Sequence, residues 1–328
     1  MVGHTKVRPV DRDSIGGEYD LFLGVIGYEL RARYIAENLI VAASRRIAIG
    51  FESGHLYHYD ENTHWYESAG FAVHHLNDAD FDQLVAQQLA KIRDRKSSGE
   101  DIRVCVDVSS LTRVRMARLV RIFAEAQLSG VLEVDFLYSL AAFSPPPAST
   151  VPNRHVGPVL PSFTGWWMAP ERPLAAGVGL GYEENKALGA VEHVQASSIW
   201  TFEPVSPIVD YSPALKQANS TLLTLVPIAN QFRYHVNCPF DLFIALESFT
   251  FGITRNHNLV LLPFGPKMFA LCVLLVSILH PEVAVWRVSG AEEPADREAS
   301  GEVYGLGMSV QSQQEVLLGS APQMGERA

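Results

Sequence analysis

Two short loop motifs in this chain carry residue types suited to holding phosphates, and each recurs at one spacing. The first is Gly27-Tyr28-Glu29, which returns as Gly181-Tyr182-Glu183 at an offset of 154 residues. The second is Asp107-Val108-Ser109-Ser110-Leu111-Thr112-Arg113, whose closing cation has a counterpart at the same offset in Lys267. The glycines allow a sharp turn and a close approach of backbone to ligand. Ser109, Ser110 and Thr112 can bind phosphate oxygens or cap a helix. Arg113 offers a forked cation that matches phosphate. In the second copy Gly265 leaves room for a ligand and Lys267 supplies a point charge. Glu29 and Glu183 have three readings: hydrogen bonds to a ribose or base, general acid–base chemistry, or ion pairs with nearby Arg31 and Lys186. Arg113 has two, because Asp-x-Ser-x-x-Thr is also an ordinary helix-capping sequence.

Loops of this kind need a strand before them and a helix after them. Apolar runs at 20–26, 47–51, 72–76, 103–107 and 131–138 read as strands. Segments 30–43, 81–92 and 113–126 carry apolar residues at helical spacing, while the polar, aromatic stretch 53–70 reads as loop. The pattern restarts after a proline-rich stretch, with strands at 174–180, 199–202, 259–262 and 283–288. Helices are expected at 184–194, 213–223, 240–250 and 268–279, and a short strand at 303–310. Strands alternating with helices indicate an α/β fold with parallel sheets. The expectation is two tandem Rossmann-like units forming an internal pseudo-dimer. Their bounds are 1–143 and 174–310, with a linker at 144–173 and a mobile tail at 311–328. Trp166-Trp167 in the linker reads as a packing anchor. In open parallel sheets ligands bind beyond the carboxyl ends of strands, where strand order reverses. Both motifs lie at such ends.

Composition narrows the function classes. The 328 residues are 48% hydrophobic and 19% charged, enough apolar surface to fill a large core. A net charge of −10 argues against duplex nucleic acid as a partner but leaves room for a small anion held by a few local cations. Cys105 and Cys272 sit in apolar runs and read as buried thiols; with Cys238 they form no disulfide or zinc pattern. His55, His58, His64, His74 and His75 lack metal-ligand spacing and read as surface or loop residues. No cofactor motif or nucleophile elbow occurs. Leu259–Leu279 is long enough to suggest a membrane span, but Pro263, Gly265, Pro266 and Lys267 divide it. No signal-peptide core appears at the N-terminus, so a cytoplasmic protein is expected.

The segment Asp107–Arg113 resembles the [Asp/Asn]-x-[Ser/Thr]-x-x-x-[Arg/Lys] signature of the CRISPR-associated Rossmann-fold (CARF) family. The resemblance covers residues 20–140 and, more weakly, 174–290. It implies a sensor of cyclic oligonucleotides whose first-strand loop, here Gly27–Arg31, supplies the other half of the site. It also implies a role in bacterial antiviral defence, and some such domains cleave their own ligand. The second copy keeps only the cation, with Leu261 and Pro263 at the Asp and Ser positions, and Gly-Tyr-Glu is not the family's usual first loop. Three functions therefore stand at this point. The chain is a nucleotide-sensing module that signals to a protein partner or a second copy. Alternatively it is a nucleotide-processing enzyme using Glu29 or Glu183 with Arg113 or Lys267. The third reading is a non-catalytic scaffold subunit.

Overall fold

The computed structural model describes residues 4–10, 15, 17–39, 41–146, 153–165, 170–290 and 295–312. In the first half these form β1 (His4–Val10), β2 (Leu21–Val25), α1 (Tyr34–Asn38), β3 (Arg46–Phe51), α2 (Tyr59–Ser68), β4 (Ala72–Leu76), α3 (Asp78–Arg93), β5 (Ile102–Asp107), α4 (Arg113–Ala124) and β6 (Leu132–Ala141). The second half contains β7 (Asn153–Pro158), β8 (Leu174–Gly179), α5 (Lys186–Val194), β9 (Ser198–Val205), α6 (Tyr211–Ala218), α7 (Ser220–Leu225), β10 (Gln231–His235), α8 (Pro239–Ile253), β11 (Asn258–Pro263), α9 (Lys267–Leu279), β12 (Ala284–Gly290) and β13 (Ala299–Gln311).

The molecule is α/β, with a seven-stranded sheet ordered β1-β13-β6-β5-β2-β3-β4 and a six-stranded sheet ordered β10-β9-β8-β11-β12-β7. Each contains five parallel strands in Rossmann order, so the order reverses between β2 and β5 and again between β8 and β11. All five residues of β2 are buried, as a strand covered on both faces requires. Helices α1 and α2 pack on one face of the first sheet, and α3 and α4 on the other. Helices α5, α6 and α7 cover the outer face of the second sheet, while α8 and α9 meet α4 in one continuous core between the sheets.

That core explains the apolar segment at 259–279. Its two pieces are the central strand β11 and the helix α9, whose residues Met268–Ser277 are all buried. Among the described residues no helix is long and apolar enough to cross a membrane. Cys105 and Cys272 are buried thiols, as expected.

The two parallel cores are as expected, and each sheet gains antiparallel strands at one edge, β1 and β13 in the first and β7 in the second. Several finer expectations need correction. The linker 144–173 contains one of these strands, β7. Strand β13, which lies within the bounds expected for the second unit, inserts between β1 and β6 of the first sheet. Sheet membership thus does not follow the boundary at residue 310. Residues 59–68 are helical, not loop, because Tyr59, Asn62 and Tyr66 bury one face at i, i+3 and i+7. The helix expected over 30–43 shrinks to a 3-10 turn at Leu30–Arg33 and α1, which ends where Leu39 turns to extended backbone (φ −109°, ψ 134°); the Leu30 and Arg31 amides at its start bind the Asp296 side chain and the Arg297 carbonyl. The helix expected at 213–223 is two, broken at Asn219. Trp166-Trp167 and residues 313–328 lie outside the described residues.

Candidate functional site

The first-strand loops are shaped by buried amides. Asn62, fully buried on α2, donates its side-chain amide to the carbonyls of Gly27 and Glu29, each at 2.9 Å. Asn219, at the end of α6, donates to the carbonyl of Gly181 at 2.6 Å and of Leu215 at 2.8 Å. The two copies thus clamp equivalent glycine carbonyls with the same chemical group. Gly27 faces Ser110 so closely that a Cβ at 27 would lie 2.7 Å from the Ser110 Cβ. In the second copy Gly265 has φ +72° and packs against the Leu180 carbonyl and Gly181, so a side chain there meets both strain and collision.

The Asp107–Arg113 segment divides its polar groups between scaffold and cavity. Asp107 is fully buried and accepts the Ser109 amide at 2.8 Å. Burial lifts its pKa to about 6, against the Ser109 hydrogen bonds and the charges of Arg31 and Lys267. The Ser109 hydroxyl accepts the Ser139 amide at 2.8 Å, which ties the loop to β6. Thr112 is the N-cap of α4 and accepts the Arg115 amide at 3.1 Å. Asp107 and Ser109 are therefore structural here and do not line the cavity described below, contrary to the ligand-binding role expected of them.

The two cations cross the seam between units. Arg113 Nη2 donates to the Gly265 carbonyl at 3.3 Å, and Lys267 Nζ donates to the Ser109 carbonyl at 2.7 Å. Each loop thus receives the cation of the other. Both residues open a helix, α4 or α9, whose unsatisfied first-turn amides and dipole favour an anion at the same place.

Between the two switch points lies a cavity of about 600 Å³. Eleven of the thirteen expected binding residues line it: Gly27, Tyr28, Glu29, Ser110, Thr112, Arg113, Gly181, Tyr182, Glu183, Gly265 and Lys267. Three more cations join them, namely Arg31, Arg287 and Arg297. Among the described lining residues, five cations then face two carboxylates, an excess of positive charge in a chain of net charge −10.

The charges are not equivalent. Arg31 is buried and donates to Glu29 at 2.6 Å and to the Ser139 carbonyl at 2.6 Å. Burial works to lower its pKa, but Glu29 and Tyr138 more than offset this and push it above its ordinary value. Glu29 therefore takes the ion-pair reading. Lys267 behaves differently: burial pushes its pKa down to about 7, with Glu29 opposing and Arg31, Arg113 and Arg297 adding repulsion. Arg297 sits 5.8 Å from the centre of the Tyr182 ring, and Tyr182 packs against Tyr211 at 5.5 Å. On the opposite side Tyr28 packs against Tyr57 at 6.0 Å. Tyr57 has φ +45°, unusual for a bulky residue.

Sequence reasoning missed Asn62, Asn219, Tyr211, Arg287 and Arg297. The two asparagines sit at different distances from their glycines, so one repeat offset does not reveal them. Arg297 precedes β13, which joins the first sheet although it follows the second unit's strands in sequence. The histidines fall elsewhere: His55 stacks on Tyr59 at 4.0 Å, His75 contacts the Tyr59 hydroxyl, and His58 bridges Glu61 and Asp296. Among the described residues no group of three or more His, Cys, Asp or Glu side chains is placed to hold a metal. No protein-family model matches the chain, and no curated protein shows significant sequence similarity to it.

Proposed function

We propose that this chain is a nucleotide-sensing module that binds its ligand in the cavity between its two Rossmann-like units and passes the signal to a protein partner or a second copy. One observation carries the reading: Arg113 and Lys267, the two repeated cations, converge with both Gly-Tyr-Glu loops on one cavity. Cations from both halves, two helix starts and a ring of tyrosines suit an anion that bears aromatic groups. The resemblance of Asp107–Arg113 to the CARF signature supports a nucleotide, makes cyclic oligonucleotides the first probes and would place the module in antiviral defence. An enzymatic role for Glu29 gains little support, since Arg31 occupies its carboxylate. Glu183 is the less committed of the two acids.

Differential scanning fluorimetry against linear and cyclic nucleotides tests the proposal. A ligand at one hundred times its Kd adds about 2.7 kcal/mol to the native state, a readable rise in Tm. Arg113→Ala and Lys267→Met should abolish that rise. If no nucleotide moves Tm, and Arg113→Ala behaves like wild type, the sensing proposal fails. Chromatography of the incubated ligand separates sensor from enzyme: intact ligand is the expected result.

A further inference from the structure

Helix α8 is apolar on two faces, only one of which the fold uses. Its inner face, with Leu242, Phe243, Leu246 and Thr250, is buried, and the helix packs there against α9. Its outer face, with Ile244, Ala245, Ser248, Phe251 and Gly252, is exposed, Ile244 by 44% and Phe251 by 59%. Asp241 and Glu247 are the only charged residues of the helix. A helix apolar all round is normally covered all round. This face lies at an open side of the molecule, because α8 touches both β10, the outer strand of the second sheet, and β1, the outer strand of the first. Phe232 of β10, itself 43% exposed, continues the apolar surface 6.2 Å from the Phe249 ring of α8.

We infer that this face binds a second copy of the chain, with the two α8 helices antiparallel about a twofold axis at Ser248. Positions 241, 244, 245, 248, 251, 252 and 255 fall within about 120° of one helical face, and they balance about Ser248. Asp241 and Arg255, both exposed and of opposite sign, stand equally far from Ser248 on either side. Arg255 follows the last turn with its guanidinium 4.6 Å from the centre of the Phe251 ring, which keeps it on this face. Antiparallel pairing sets Asp241 of each copy against Arg255 of the other, whereas parallel pairing opposes like charges. Between these charges, Ile244 and Phe251 run along one side of the stripe, and Ala245 and Gly252 along the other. The twofold brings Ile244 of one copy against Phe251 of the other and places the small residues together, where two backbones can approach. A Cβ added at Gly252 would meet nothing within 4 Å, so that side is open to receive a helix. Such a contact uses one patch twice and closes at two subunits. A different protein partner requires no balance of charge and size about a single residue.

Sedimentation equilibrium of the full chain without nucleotide tests this. The expected species has twice the 36.2 kDa mass of the chain. Ser248→Arg, at an exposed position, should leave the circular dichroism spectrum unchanged. It should raise the dimer dissociation constant on the order of a hundredfold, because two like charges and their bulk meet at the axis. Asp241→Arg and Arg255→Asp should each weaken the dimer, and the double variant should restore it. A chain monomeric at every concentration, a dimer that survives Ser248→Arg, or a double variant as weak as the single ones overturns the inference. A complex formed only with a different protein overturns it as well. No residue of α8 lines the cavity, so nucleotide-induced shifts in Tm should be the same in wild type and Ser248→Arg, and the dimer and the nucleotide reading fail separately.

Discussion

Lys267 couples the cavity to pH, and two opposite trends follow from its position. An ordinary lysine titrates near 10.5, but burial beside three guanidinium groups brings this one down to about 7. A bound phosphate supplies the counter-charge and favours the protonated amine. Binding that requires this proton weakens as pH rises above 7, by about fiftyfold between pH 7 and pH 9 for a single site. The stability of the ligand-free protein runs the other way. Between about 7 and 10.5 the unfolded chain holds a proton on Lys267 that the folded chain has lost, so stability rises with pH in that window. Below 7 both states are protonated and the cost of the buried charge is fully present. Lys267→Met removes that cost, so the variant should melt above wild type at pH 7, with an advantage that shrinks steadily as pH rises toward 10.5. The binding assay is calorimetry from pH 7 to 9 with a nucleotide whose phosphates are all diesters, which itself does not titrate there. Asp107, at about 6, lies below the window. Lys267→Arg stays charged throughout and should bind without pH dependence. Affinity that stays flat from pH 7 to 9 in wild type, or the same slope in Lys267→Met, would refute the coupling.

Two further outcomes test the scaffold. Asn62→Ala leaves the carbonyls of Gly27 and Glu29 without their donor inside a buried loop, at a cost of about 1–3 kcal/mol. Urea unfolding should show that loss together with weaker ligand binding, and binding unchanged by the variant would detach the clamp from the site. Truncation after residue 290 deletes β13 and strips β1 and β6 of their shared neighbour, although the deletion falls beyond the second unit's Rossmann core. The first unit should then lose cooperative folding or aggregate through the bared edges, read by calorimetry and light scattering.

The parallel cores were legible because buried central strands write continuous apolar runs, as in β2, β5, β8 and β11, and because the motifs after them repeat at one offset. The antiparallel additions were not. Strand β1 mixes Lys6, Arg8 and Pro9 with apolar residues, and β13 interrupts its alternation with Gly305 and Gly307, against which Val10 and Arg8 of β1 pack. Such strands take their place from their neighbours, not from their own pattern. Helix α2 hid for a related reason: its buried face is Tyr59, Asn62 and Tyr66, two phenols and an amide, which hydropathy does not register as core. At the site, the repeat located the cations and the turns, but roles inside the motif depended on tertiary partners. Ser109 and Thr112 look like phosphate donors in one dimension. In three dimensions one holds β6 and the other caps α4.

The reciprocal cation contacts make the two units depend on each other at the seam. Arg113 finds its carbonyl partner on Gly265, and Lys267 finds its own on Ser109. Neither unit alone supplies both a cation and the backbone that positions it, so half the molecule is not half a site. The crossover of β13 strengthens that dependence. After completing its own sheet, the second unit sends its chain past Arg297 and the Asp296 contact to Leu30, then into the first sheet beside β6. A ligand that engages Arg297 therefore touches the segment joining the two sheets. That segment leads into β13, which is hydrogen-bonded to β6 on one side and to β1 on the other, so the cavity wall, the joining segment and the outer edge of the first sheet are consecutive parts of one stretch of chain.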